Sequence, residues 1–598
     1  MPTVETYCNI TEKQQRLAGL YGELGSKAVF IVPSGLDRDS MLALISGQGS
    51  FFGERPVIWT WSDLYKEASA AAHVRPKRVI DPPDHDLIIK YLLNKYLEED
   101  ENIKKELPEG VFHRGFSEVL GNNIKELLRE DITPEDLRER LFNEEEPPET
   151  SPGYILLRLY SDYLEYLDQN GIADSAQTPA LIRECLCCEA SVGALSDLTF
   201  VFVGFLTFTG GQLKLVKKLQ GIAKAEYLLP ETGLDSLHDS ILQVGLEFKE
   251  RAVWKSKLLE LKAGDHQLQF DAIARETALW AHGTGFFCML GEMDDYGDIG
   301  IMVPPQHLSL IENSLQRYKI PFNVQLRGTV ADTLMGELPK LVWNAFVSGW
   351  ESDKTAFLLS SPLLRPPDFE LSSLLSAFPE GSRGWRSVLK GKSLDVFVSL
   401  EKLCEDFCVG GPPPRILKLW LDFINSLDPL NVLGSLIKDM PNLDGILKDI
   451  SSSVKELEKK IEILEDISKD IGPASRVKIE RHEAVCYICD WGRSATLPIR
   501  LPQSRSVTIY AGIPPVLTTH RYWIMTDVDY NTWPGKLRES PLFDNESKNR
   551  FNNNLPAYDG REDGYPHIPE LHEEREQKEA IFRRLIATSL NGTVLSRS

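Results

Sequence analysis

Two cysteine pairs have spacings suited to metal chemistry. Cys486 and Cys489 form a Cys-x-x-Cys, and Cys404 and Cys408 lie one helical turn apart. Four thiolates could hold a tetrahedral zinc ion. Nothing forces the pairs together across about 80 residues, however, and the favoured reading is two small apolar residues on a strand or turn and two on one helix face. His567, His572, Glu573 and Glu574 in HIPELHEE form a second cluster. A helix starting after Pro569, with glutamates complementing its dipole, accounts for the acids without a metal and is the favoured reading. Cys185, Cys187 and Cys188 point in different directions along one helical stretch and read as packing residues. No GxSxG, HExxH or GxGxxG occurs, so neither a hydrolase nor a dehydrogenase has support. No catalytic residue, cofactor-binding residue or metal ligand is assigned.

A third set of residues has the chemistry of a nucleic-acid groove: Arg500, Arg505, Arg521, Trp533, Lys536 and Arg538. Grooves for single strands combine phosphate-binding cations with aromatic stacking platforms, and this strip supplies both. The competing reading packs Trp533 into a turn with Pro534 and Gly535 and leaves the arginines as surface charge. Residues 471–540 carry nine Lys/Arg against six Asp/Glu, whereas the whole chain has a net charge of -22 over 598 residues. That acidity opposes tight autonomous DNA binding, because repulsion from the phosphate backbone is long-ranged at low salt.

The elements that would position these residues alternate in type. Short β-branched or apolar runs, TVETYC, AVFIVPS and PVIWTW, alternate with helical stretches over the first 65 residues. The pattern predicts an α/β layer with a parallel sheet. Thr11 is the expected cap of the first helix, and Ser62 starts the third. From about 85 to 196 the pattern is helical only, and LTFVFVGF then restores α/β alternation. The second half repeats the scheme: DIGIMVPP and PFNVQL, a helical block, then SVTIYAGI, HRYWIMTDV and a terminal helix. The boundaries read as 1–84, an insertion at 85–196, 197–265, then 266–334, an insertion at 335–475, and 476–598. The amphipathic EKKIEILED stretch reads as a solvated face over a core stripe. The longest apolar run, LTFVFVGFLTF, is too short to cross ~30 Å of hydrocarbon. The opening MPTVETYCN lacks the basic and apolar regions of an export signal, and nine cysteines do not suggest a disulfide framework. A cytoplasmic, multidomain chain with no membrane association is expected.

Two α/β cores, each interrupted by helices, resemble the 1A/1B and 2A/2B layout of UvrD-like superfamily-1 helicases, with two RecA-like domains. More specifically, VFIVPSG followed by VIWTWSDLY, the stretch LYSDYLEYLDQNGIADSAQ, FVFVGFLTFTGGQLKLVKKL, DIGIMVPPQHLSLIENSLQRYKIPFNV and HRYWIMTDVDYNTWPGKLRESPLFD resemble, in order, segments of the AddB/RexB family. These proteins are the B subunits of bacterial helicase–nucleases. HEEREQKEAIFRRLIATS is similar to the helix equivalent to helicase motif VI, with Arg575 matching and Thr588 and Ser589 where a phosphate-sensing arginine would fall.

The departures from that family shape the expected mechanism. No GxxxxGK[ST] occurs, and the strand–loop–helix where it would sit reads YCNITEKQQ, without glycine. Lys13 there is read as a solvated side chain. Val203 stands where a magnesium-holding carboxylate is expected. No acidic constellation of the nuclease type follows, and no iron–sulfur cysteine set is present. The resemblance therefore implies a non-catalytic subunit without a cofactor. It would scaffold a UvrD-like helicase partner and guide single-stranded DNA during double-strand break processing and recombinational repair. The alternative is a stand-alone interaction scaffold of helicase-like fold with neither DNA nor ATP activity. An ATPase with a non-standard phosphate site is the third reading.

Overall fold

The computed structural model describes residues 3–7, 10–46, 56–80, 82–99, 114–142, 151–231, 247–250, 257–325, 329–364, 378–428, 443–470, 478–495, 497, 505–518, 520–529, 535, 537, 539–540, 542–554, 567–589 and 591–597. The fold is mixed α/β with two parallel sheets of six strands each. The first contains β1 (Thr3–Tyr7), β2 (Ala28–Ile31), β3 (Val57–Trp59), β4 (Thr199–Val203), β5 (Lys224–Pro230) and β6 (Glu247–Glu250), in spatial order β3-β2-β4-β5-β1-β6. The second contains β7 (Lys257–Lys262), β8 (Ile299–Val303), β9 (Phe322–Gln325), β10 (Val507–Ala511), β11 (Tyr522–Met525) and β12 (Gly592–Arg597), in order β9-β10-β8-β11-β12-β7.

The central strands β2, β4, β8 and β11 are buried along their whole length. This is why they read as continuous apolar runs rather than alternating ones. Helices cover both faces of the first sheet. One face packs Phe200, Phe202 and Tyr227 against Trp61, Leu64 and Leu215; the other packs Phe30, Val201 and Val203 against Leu17, Leu20 and Met41. Caps fix where these helices begin. Thr60 and Asp63 form a reciprocal capping box that starts the helix at Trp61, one residue before the expected Ser62. The first helix spans Ile10–Leu24, which puts Thr11 inside its first turn rather than at its cap. Thr133 with Asp136 and Thr209 with Gln212 make the same box.

The chain divides into two compact units, and the division differs from the sequence boundaries. Both sheets belong to one unit, formed by Met1–Val79, Glu101–Gln325 and Leu501–Ser598. The other comprises Ile80–Asp100 and Leu326–Arg500 and is helical. The helix Pro82–Glu99 therefore goes with residues 326–500, not with the first insertion. The reason is a buried polar anchor: Lys460 Nζ donates to Asp84 Oδ2 at 2.6 Å, and the Tyr487 hydroxyl donates to Asp84 Oδ1 at 3.0 Å. Lys90 also pairs with Glu483. Around this anchor a large apolar core gathers Trp385, Trp420, Phe397, Phe407 and Leu457, with Leu87 packed against it. The helix His482–Ser494 belongs to the same unit. The EKKIEILED stretch lies in the helix Leu443–Asp470, with Leu457, Ile461 and Leu464 in the core. Among the described residues no helix is long and apolar enough to cross a membrane.

Candidate functional site at the carboxyl edges of the sheets

In open parallel sheets ligands bind beyond the carboxyl ends of the strands, so those two edges are where function is sought. At the first sheet, β1 ends at Tyr7 and the following helix begins at Ile10. A phosphate-cradling loop of the GxxxxGK[ST] type needs about eight residues, which do not fit between those bounds. Lys13 lies in that helix, and its side chain falls outside the described residues. Val203, at the end of β4, is fully buried in a cluster with Tyr7, Phe30, Val201 and Leu517.

Leu517 comes from the segment between β10 and β11, and it closes this edge. Its backbone N–H donates to Asp37 Oδ1 at 2.9 Å, and Asp37 also accepts from the Ser34 hydroxyl at 2.6 Å. Gly204 follows β4 at φ +80°, a conformation that favours glycine, and a Cβ there would lie 2.7 Å from Leu517 Cδ2. Arg584, from the helix Leu571–Thr588, is 1% exposed. Its Nη2 donates to Pro514 O at 3.2 Å, while Nε and Nη1 have no hydrogen-bond partner among the described residues. Burial pushes its pKa down to about 10 against the pull of Tyr7 and Asp37. Burial likewise raises the Tyr7 phenol well above its ordinary value. The sequence reading missed Arg584. The available signal was its position one turn after buried Ala580, on the covered face of the helix, while Arg583 pairs with Glu579 at 2.6 Å. Arg575 is exposed on the same helix. The Ser589 hydroxyl donates to Gly592 O at 2.5 Å, a turn contact rather than a site facing a ligand.

At the second sheet, three side chains meet beyond β7, β8 and β11. Asp527 follows β11, is 1% exposed and adopts φ +54°. Its Oδ1 lies 2.9 Å from His266 Nδ1, and its Oδ2 lies 2.9 Å from His307 Nδ1. The two imidazole centroids are 4.2 Å apart.

Arg505 is exposed, at φ +67°. Arg521 is in an ion pair with Asp294 at 2.5 Å and with Asp298 at 3.5 Å, so a phosphate would have to displace these acids. Arg500, Trp533, Lys536 and Arg538 lie outside the described residues. Among the described residues the four cysteines do not gather into a ligand group. Cys404 and Cys489 are buried, and burial raises both thiols, Cys489 to about 11, which disfavours the thiolate a metal needs. Cys486 instead lies 3.5 Å from the His482 ring, one turn away. Cys185 is buried, and Cys187 and Cys188 are exposed.

His567 and Glu573 are 2.8 Å apart at the start of the last helix, where Glu570 and Glu573 form a capping box. This is the helix start expected from the sequence. Nearby, Lys548 Nζ bridges Glu126 at 2.6 Å and Glu574 at 2.8 Å. Glu130 accepts from Gly210 N–H at 2.6 Å, and burial pushes its pKa up to about 7. Compared with family models and with curated proteins, the chain has no match.

Proposed function

We propose that the chain is a non-catalytic subunit of an ATP-dependent helicase–nuclease, similar to the AddB/RexB B subunits, built on two RecA-like domains with helical insertions. It scaffolds a UvrD-like motor partner and guides single-stranded DNA during double-strand break processing and recombinational repair in the cytoplasm. The observation that carries this reading is the closed carboxyl edge of the first sheet. A parallel sheet suited to a nucleotide motor has Leu517 seated on Gly204 and Arg584 buried beside Asp37 and Tyr7, where phosphates would otherwise lie. A closed edge of this kind is suited to assembly rather than turnover. The ion-paired state of Arg521 favours the second reading, a scaffold with no DNA role.

Affinity purification of the full chain from its own cells, followed by mass spectrometry, tests the proposal. Recovery of a UvrD-like helicase, with or without a nuclease, is expected. Recovery of the chain alone at low salt and native abundance would overturn it. Crosslinking of single-stranded DNA to residues 500–538 within the recovered complex separates the first reading from the second.

A further inference from the structure

Three residues that the scaffold reading leaves unused have the donor set of a metal centre. Among the described residues, His266, His307 and Asp527 are the one group of at least three His, Cys, Asp or Glu whose ligand atoms all lie within 4.8 Å of one another. We infer that they hold a divalent transition-metal ion, zinc in the first instance, with a further coordination position open to water or a small anion.

Each of the three residues is held by its own loop. His266 opens the helix His266–Ala281, whose cap is Asp265, just beyond β7. His307 follows Pro304 and Pro305 beyond β8, and its N–H donates to Pro304 O at 2.9 Å. Asp527 is fixed through its neighbours: Thr526 N–H donates to Met302 O at 3.0 Å, and Val528 N–H donates to Ser596 O at 2.9 Å. Between those two bonds the aspartate takes a left-handed conformation, at φ +54°, that L residues adopt at a cost. Three loops from three strands thus deliver three donors to one point, and the acidic donor is the most rigidly placed.

The chemistry of the set narrows the ion. Two imidazoles and one carboxylate suit zinc and its neighbours, whereas calcium and magnesium need more oxygens and Cu(I) prefers sulfur. Around tetrahedral zinc, with bonds of ~2.0–2.1 Å, adjacent donor atoms lie about 3.3 Å apart. Each Nδ1 stands 2.9 Å from a different oxygen of the carboxylate, and one ligand atom from each residue lies within 4.8 Å of the others, so a small side-chain rearrangement brings three donors onto one ion. Without an ion, an imidazole whose proton sits on Nδ1 donates it to the carboxylate. With the ion bound, each imidazole carries its proton on Nε2 instead. The His266 side chain is 44% exposed and that of His307 20%, against 1% for Asp527, so a hydrated ion reaches the site from the histidine side. That same side supplies the open position.

The test uses the full chain, stripped of metal, with Zn²⁺ titrated by calorimetry and Co²⁺ by visible absorption. One equivalent of each is expected, with a Co²⁺ spectrum of nitrogen and oxygen ligation and no thiolate charge-transfer band. His266→Ala and Asp527→Asn are each expected to weaken binding by roughly tenfold or more. Cys486→Ser, which removes the nearby-in-sequence His482–Cys486 pair as a competing site, should leave binding unchanged. His266 is partly exposed, so its variant reports on binding even if Asp527→Asn misfolds, with circular dichroism as the check. Absence of stoichiometric binding, or binding that persists unchanged in His266→Ala, would overturn the inference.

Discussion

Replacing Arg584 with methionine tests whether the first sheet's carboxyl edge is closed for good. The guanidinium is fully buried, and the drop of its pKa from 12.5 to about 10 corresponds to about 3 kcal/mol against the charged form. Methionine keeps most of the aliphatic stem and removes the charge. What is lost is the hydrogen bond to Pro514 O, worth about 1.5–3 kcal/mol for a charged donor. The balance is a variant about as stable as the parent or more stable by up to ~2 kcal/mol, in line with apolar replacement of buried charges. For a unit of about 400 residues, the entropy of unfolding is about 0.8 kcal/mol/K, so the gain is at most ~2–3 °C in Tm. Differential scanning calorimetry in buffer free of phosphate and sulfate reads it. A fall of several degrees would refute the reasoning, since it would mean that the guanidinium has a strong stabilising partner. A second arm adds inorganic phosphate or ATP at millimolar concentration. Stabilisation of the parent but not of Arg584→Met would identify an anion site, and the edge would not be closed; a ligand at a hundred times its Kd adds about 2.7 kcal/mol.

Three other outcomes are expected. Asp84→Ala removes the carboxylate facing Lys460, whose side chain is 4% exposed, and should cost the helical unit about 3–5 kcal/mol in urea unfolding. The double variant with Lys460→Met should recover most of it; no recovery would mean that the pair is not the anchor. Glu130 has a raised folded pKa, about 7 against 4.5, so its contribution is full below pH 4.5 and is lost as pH rises towards 7. Glu130→Gln, which can still accept from Gly210 N–H, should therefore flatten the stability profile between pH 4.5 and 7 by about 3 kcal/mol, and an unchanged profile would count against the assignment. The isolated chain should bind DNA weakly with a modest salt slope, and Arg521→Ala should change little because Asp294 already neutralises that arginine. Nanomolar binding at physiological salt would contradict both.

The parallel sheets were legible because their central strands are buried on both faces and so are written as unbroken apolar runs. AVFI, TFVFV, IGIMV and YWIM are visible without context. The edge strands β6 and β7, and β12 beside β7, were not read. KLLELK carries three charged residues, and half-exposed edges lack the signal that burial imposes. The packing of Pro82–Glu99 was not legible for a different reason. Its sequence is a good amphipathic helix in either unit, and what decides between them is one aspartate, Asp84, meeting Lys460 and Tyr487 nearly four hundred residues later. Local pattern carries no information about such a partner.

The candidate site was illegible for the same physical reason, carried further. Asp527 reads as a strand-end acid in MTDV, His307 as a helix-start residue in PPQHL, and His266 as the residue after a capping aspartate in GDH. Each has an ordinary local explanation, and none is part of a short-range ligand spacing of the kind that made Cys486 and Cys489 conspicuous. The cysteines, close in sequence, do not gather with Cys404 and Cys408. The histidines and the aspartate, 41 and 220 residues apart in succession along the chain, converge because β8 and β11 are neighbours and β7 returns to the same sheet beyond β12. In a parallel sheet every strand ends on the same edge, so loops distant in sequence are delivered to one place by topology alone. Chemistry assembled that way is invisible to spacing and becomes apparent only once strand order is known.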